Sequence, residues 1–242
     1  MEKSKGHVNA ELMDETRISN LLFKYNEHLA QEQMREKSAL YLGRKNLSPK
    51  ELSLVAISVS LAMGDRDSAY IHFREARRVK VSRTEILDVI KVTKLILMAS
   101  SMSSFKTCLP IMQEKSRLSY NRKEVDRIVG RLKKELNLGL VPESLDVLSQ
   151  FSFELFTEHL REKTELLTPM KLGMKFIYLI AFSVALTLGL GDCTRVYLSL
   201  FFEDEGKMVE VEDAIAIARF VIGNRAIVSA IEILKNMDSL PL

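Results

Sequence analysis

The chain has 242 residues, 47% of them hydrophobic and 28% charged, with 10 Gly, 5 Pro and 2 Cys. That length suits one large domain or two of about 120 residues, and the composition excludes a collagen-like or disordered chain. Two cysteines are too few for a disulfide framework or a four-thiolate zinc site, and a formal charge of +3 gives no global pull towards nucleic acid or anionic lipid. The composition reads as a globular, cytoplasmic protein. Met1 to His7 carries charges but no apolar stretch of the kind a secretory signal needs. The longest uncharged run, Phe176 to Gly191, has sixteen residues, fewer than the ~20 required to cross a bilayer as a helix, so it reads as a buried core helix and no membrane partner is expected.

Nearly every segment reads as helix. Ile18 to Leu40 is amphipathic. Ser48, Pro49 and Glu51 form a helix start with a capping box, and Leu52, Val55, Val59 and Ala62 then make an apolar stripe that pauses at Gly64. A second helix begins near Asp65 and a third at Ser82, where Ser82 and Glu85 repeat the capping spacing. Asn121 and Glu124 repeat it again inside a charged segment, Gln113 to Lys134. A further amphipathic stretch runs from Leu145 to Leu160, and Thr168 with Pro169 offers another helix start. The long apolar run follows, then helices near Asp192 and Asp213. Ala214 to Ala218 alternates like a strand but lacks a turn-flanked partner, so helix is favoured.

Two versions of one plan are visible, at offsets of 120 to 131 residues. The expected architecture is all-α, with two tandem helical repeats packed into one compact unit. An N-terminal arm (1–17) precedes a first repeat (18–112), a charged helical connector (113–137) and a second repeat (138–242).

One pattern stands above periodicity. Ser48 to Gly64 leads into Asp65, Ser68 and His72, and a new helix starts over Val81 to Ile86; the second half carries Leu188 to Leu198, with Cys193 and Tyr197. These stretches resemble the carboxymuconolactone decarboxylase and alkylhydroperoxidase-like family, over most of residues 18–235. In the peroxidase branch of that family, two cysteines spaced Cys-x-x-Cys, a histidine and a preceding glutamate form a thiol relay. Matched position by position, the first half has Ser53 for the glutamate, Asp65 and Ser68 for the cysteines, and retains only His72. The second half has Tyr178 for the glutamate, Leu190 and Cys193 for the cysteines, and Tyr197 for the histidine. Regenerating an oxidised thiol needs a resolving partner, and neither half holds a pair, so the resemblance implies a degenerate thiol site without peroxidase chemistry.

The remaining candidates are His72, Ser68, Asp65, Cys193 and Tyr197. Ser68 and His72 are one helical turn apart and within hydrogen-bonding reach. Asp65 lies roughly 10 Å along the axis from His72, too far to orient its ring, and is better read as a helix N-cap. His72 has two readings, a general acid or base, or a half-buried ring satisfied by Ser68 or a backbone carbonyl. Cys193 is either a thiol activated by a helix N-terminus and Arg195, or a small buried hydrophobe. The basic cluster of His72, Arg74, Arg77, Arg78, Lys80 and Arg83 suits a solvated helix end rather than nucleic acid, or its arginines line a pocket for a carboxylate-bearing ligand. His159 and Glu162 have ligand spacing but lie in a charged amphipathic helix where an exposed face explains them, so no metal and no cofactor are expected. A carboxymuconolactone decarboxylase-like protein binding or acting on a small carboxylated molecule competes with a non-catalytic, homo-oligomeric scaffold or ligand-binding protein.

Overall fold

The computed structural model describes residues 15–115, 122–135 and 143–239, and these form helices joined by short turns, with no strand among them. Thirteen α-helices follow in order: α1 (Glu15–Tyr25), α2 (Glu27–Lys37), α3 (Pro49–Ala62), α4 (Arg66–Arg78), α5 (Arg83–Phe105), α6 (Leu109–Lys115), α7 (Arg122–Glu135), α8 (Glu143–Phe151), α9 (Phe153–Leu167), α10 (Met174–Thr187), α11 (Gly191–Glu203), α12 (Met208–Ser229) and α13 (Ile231–Asn236). A π-helical turn, Ser38–Leu42, extends α2.

Local chemistry accounts for the boundaries. The amphipathic stretch 18–40 is broken because the Asn26 side chain accepts the Leu29 N–H and opens a new helix; Ser152 does the same for Leu155 between α8 and α9. Both capping boxes form: Ser48 with Glu51 at α3, and Ser82 with Glu85 at α5. Asn121 lies outside the described residues. The expected start at Thr168 is not used. Thr168 closes α9, and α10 begins six residues later behind Gly173. The reason lies across the chain, where the buried Asp88 carboxylate accepts the N–H groups of Met170, Lys171 and Leu172 at 2.7, 2.8 and 3.0 Å and holds that segment out of the helix. The alternating run at Ala214 is helical, inside α12.

The chain forms two compact units. One comprises residues 1–80 and 212–242, the other 81–211, so they are drawn differently from the stretches read in the sequence. In the first, α3 packs on α4 and α1 on α2 and α13, around Ile18, Leu22, Ala30, Ile71, Val228 and Ile231. In the second, α10 packs on α11 and α5, and α5 on α8 and α9, with Val125, Leu145, Leu148 and Phe156 forming one core cluster. Helices α3 and α10 are buried almost all round, as their unbroken apolar runs require. Their serines remain satisfied because Ser58, Ser60 and Ser183 donate to backbone carbonyls one turn earlier. The segment Met208–Ser239 is long and apolar enough to cross a membrane, and half of its apolar window is buried inside the protein. It also carries Asp213, a fully buried carboxylate.

Elements recur at a constant displacement. Pro49–Ala62 and Met174–Thr187 are 125 positions apart (174 less 49), and so are α4 and α11. Gly64 and Gly189, which both have positive φ after the apolar helix, keep the same spacing. So do Asp88 and Asp213. Asp213 accepts from the Asn46 N–H (2.8 Å), the Leu47 N–H (3.0 Å), Asn46 Nδ2 (3.1 Å) and Arg44 Nε (2.6 Å), immediately before α3. Burial works to raise its pKa, but the Leu47 N–H, the Asn46 side chain, Arg44 and the Asn46 N–H together hold it below the ordinary carboxylate value.

Removing this carboxylate orphans several donors at once. Asp213→Ala is expected to cost about 3 kcal/mol in urea unfolding at pH 7. Because the folded pKa is the lower one, the wild-type advantage should hold above the unfolded value near 3.9 and fade as pH falls through the folded one. A variant as stable as wild type at pH 7 would show that the Asp213 interactions add no net stability.

Candidate functional site

Asp65, Ser68 and His72 are placed by the turn between α3 and α4. Gly64 takes the left-handed conformation, and the Asp65 N–H bonds to the Ser60 carbonyl at 3.0 Å. Asp65 then caps α4 by accepting the Ser68 N–H at 3.0 Å, so its capping role is observed directly. The hydrogen bond open to Ser68 and His72 is not made. The Ser68 hydroxyl faces α3 and lies 3.0 Å from the Ser60 hydroxyl.

His72 is more secluded than either sequence reading allowed. Its exposure is 0%, and neither ring nitrogen has a hydrogen-bond partner. The ring meets Tyr41 edge-on, with centroids 5.3 Å apart, and Tyr41 in turn stacks on Phe220 of α12 at 5.9 Å. Tyr41 reaches this position from the π-helical turn, where one extra residue re-aims the side chain inward. Burial, with a smaller contribution from the positive charge of Lys37, lowers the His72 pKa to about 3. Burial likewise raises that of Tyr41, assisted by Glu75. His72 is therefore neutral at physiological pH and closed to solvent, and a general acid or base needs access to the proton it moves.

The arginines do not share its pocket. At about 100° per residue, Arg74 and Arg77 lie about 200° and 140° around α4 from His72, which places them on the opposite side of the helix. There, Arg74, Arg77 and Arg78 line an open depression of ≈ 290 Å³. Arg78 is ion-paired with Glu75. Tyr70 and Phe73, both exposed, form a tilted ring pair on the same side of α4, with centroids 6.1 Å apart.

In the second unit, Cys193 is the third residue of α11 and is 5% exposed, while Tyr197 one turn later is also buried. Neither cysteine forms a disulfide; Cys108 is exposed. Burial, then Cys193, then Tyr178 push the Tyr197 hydroxyl pKa upward. Lys163 of α9, a residue that sequence reasoning missed, interacts electrostatically with Cys193. Its neighbour one turn earlier, His159, is buried, which corrects the exposed face expected for it. Burial and the charge of Lys163 lower the His159 pKa. The amphipathic period of α9 contained the signal, because Phe156, His159 and Lys163 recur at three and four residues. Among the described residues no group of three or more His, Cys, Asp or Glu side chains is arranged to hold a metal.

Residues 29–100 match the carboxymuconolactone decarboxylase family model, a stretch that holds Asp65, Ser68 and His72 and stops short of Cys193. A crystal structure from Burkholderia xenovorans, provisionally described as a gamma-carboxymuconolactone decarboxylase subunit, is similar in fold with a TM-score of 0.74 and 12% identity, covering 92% of this chain and 90% of that one. No curated protein matches the sequence.

A buried histidine with a depressed pKa leaves a signature in stability. Between pH 6.5 and 3 the unfolded chain binds a proton that the folded chain refuses, so His72 should remove about 1.4 kcal/mol of stability per pH unit as pH falls through that range. His72→Phe keeps an aromatic ring without polar nitrogens and is expected to flatten that slope in pH-dependent urea unfolding. Identical slopes in both proteins would mean that His72 is protonated in the folded state.

Proposed function

Starting from a chain that is carboxymuconolactone decarboxylase-like at residues 29–100 and in its all-α fold, we propose that it has left the thiol chemistry of its family and binds a small carboxylated molecule without turning it over at His72. The carrying observation is the separation of the retained histidine from the arginine depression. The one position that keeps the family's residue is sealed behind Tyr41, while three guanidinium groups line an open depression on the other side of the same helix. The constant displacement of 125 residues between α3 and α10 supports descent from a duplicated half. On this reading both thiol sites are degenerate, with Asp65 serving as a cap and Ser68 as a contact to α3.

Guanidinium forks suit carboxylates because two parallel N–H groups meet two oxygens, and such charge-assisted bonds contribute about 1.5–3 kcal/mol each. Calorimetric titration with succinate should show saturable binding that the double variant Arg74→Ala/Arg77→Ala weakens by about tenfold or more. Undiminished affinity in the double variant would overturn the assignment of the site. Absence of binding by succinate, malonate and benzoate alike would favour the non-catalytic scaffold, whose expected homo-oligomer is then read by light scattering.

A further inference from the structure

Helix α12 buries one side, through Ala214, Ile217, Ala218 and Val221. A surface helix packed in that way is ordinarily polar on its outer side. The outer side of α12 departs from this, because Met208, Ile215 and Ile222 recur every seven residues and are 58%, 41% and 43% exposed. Glu212 and Arg219 lie between them and are exposed too. The row Met208, Glu212, Ile215, Arg219, Ile222 therefore advances in alternating steps of four and three, the spacing of a seam through which two helices pack side by side. The row is not peculiar to one helix. The displacement of 125 residues maps Ile90, Lys94 and Leu97 of α5 onto Ile215, Arg219 and Ile222, and those three are exposed as well.

We propose that the outer row of α12 is a self-complementary surface through which two copies of the chain dimerise, their α12 helices antiparallel. The charges select both the occupant and the direction. With a twofold axis passing beside Ile215, Glu212 of each copy lies opposite Arg219 of the other, so one ion pair is made twice. The same register sets Ile215 against Ile215 of the second copy, and Ile222 against its Met208. Parallel pairing would instead bring Glu212 to Glu212 and Arg219 to Arg219. Among the described residues neither Glu212 nor Arg219 takes part in an ion pair, which leaves both charges to a second copy. A lipid surface would have to take the same two charges out of water without a counter-charge. The α5 row does not fit itself in this way, because Leu87 stands where α12 has Glu212 and its charges, Arg83 and Lys94, are both positive.

This surface rests on the homo-oligomer reading and uses none of the α4 arginines, so self-association and succinate binding fail separately. Sedimentation velocity of the full chain over a concentration series should show a species of twice 27.6 kDa that dissociates on dilution. Glu212→Arg and Arg219→Glu should each weaken the dimer by about tenfold or more, because two ion pairs turn repulsive at once. Mixing the two variants recreates both pairs and should return a mixed dimer; the double variant Glu212→Arg/Arg219→Glu should dimerise by itself. Circular dichroism checks that each variant is folded, and should one not be, Ile215→Asp reads the same surface and is expected to give a monomer. A wild-type chain that stays monomeric overturns the homo-oligomer and this surface together. A dimer that all these substitutions leave intact, or variants that remain monomeric when mixed, overturns this surface alone.

Discussion

Two buried carboxylates organise the helices. Asp213, on α12, takes the backbone donors that precede α3, and Asp88, on α5, takes those that precede α10. Each does for a connecting segment what a helix cap does for a helix, satisfying several N–H groups that would otherwise be lost from water without replacement. In each case the acid comes from a helix remote in sequence. The first 80 residues are completed as a compact unit by the C-terminal helices, and α5 joins the unit that contains α10. A core helix buried all round offers no polar face to fix its entry, so the entry has to be fixed by such a contact.

Burial decides the chemistry at each candidate site more than residue identity does. His72 is the sequence's candidate general acid or base, yet its ring nitrogens have no hydrogen-bond partner and are closed to solvent. Tyr41 closes the ring from the π-helical turn, and Ser68, its apparent helper, is engaged with Ser60 on α3. The outward side of α4 keeps its charge. One helix thus combines a sealed apolar side with a cationic one.

Much of this was legible beforehand. The capping residues Ser48, Asp65 and Ser82 identify their helix starts because a side-chain oxygen three residues before an orphan N–H is a local interaction. Ala214 to Ala218 is helical as read, inside the continuous helix α12. Thr168 shows the limit: its sequence context matches a cap, and the structure overrides it because Asp88, some eighty residues away, competes for the same backbone donors. His159 shows another, since a charged amphipathic helix reveals its period but not which side meets the core.

The sequence by itself determined the all-helical architecture and the absence of a Cys-x-x-Cys pair, both of which depend on spacing along the chain. Tertiary structure alone decided that His72 is sealed, that Arg74 and Arg77 face away from it, and that His159 is buried. Those are facts about solvent and about neighbours distant in sequence. Desolvation and charge proximity act through space, and no pattern along one helix records what is packed against it.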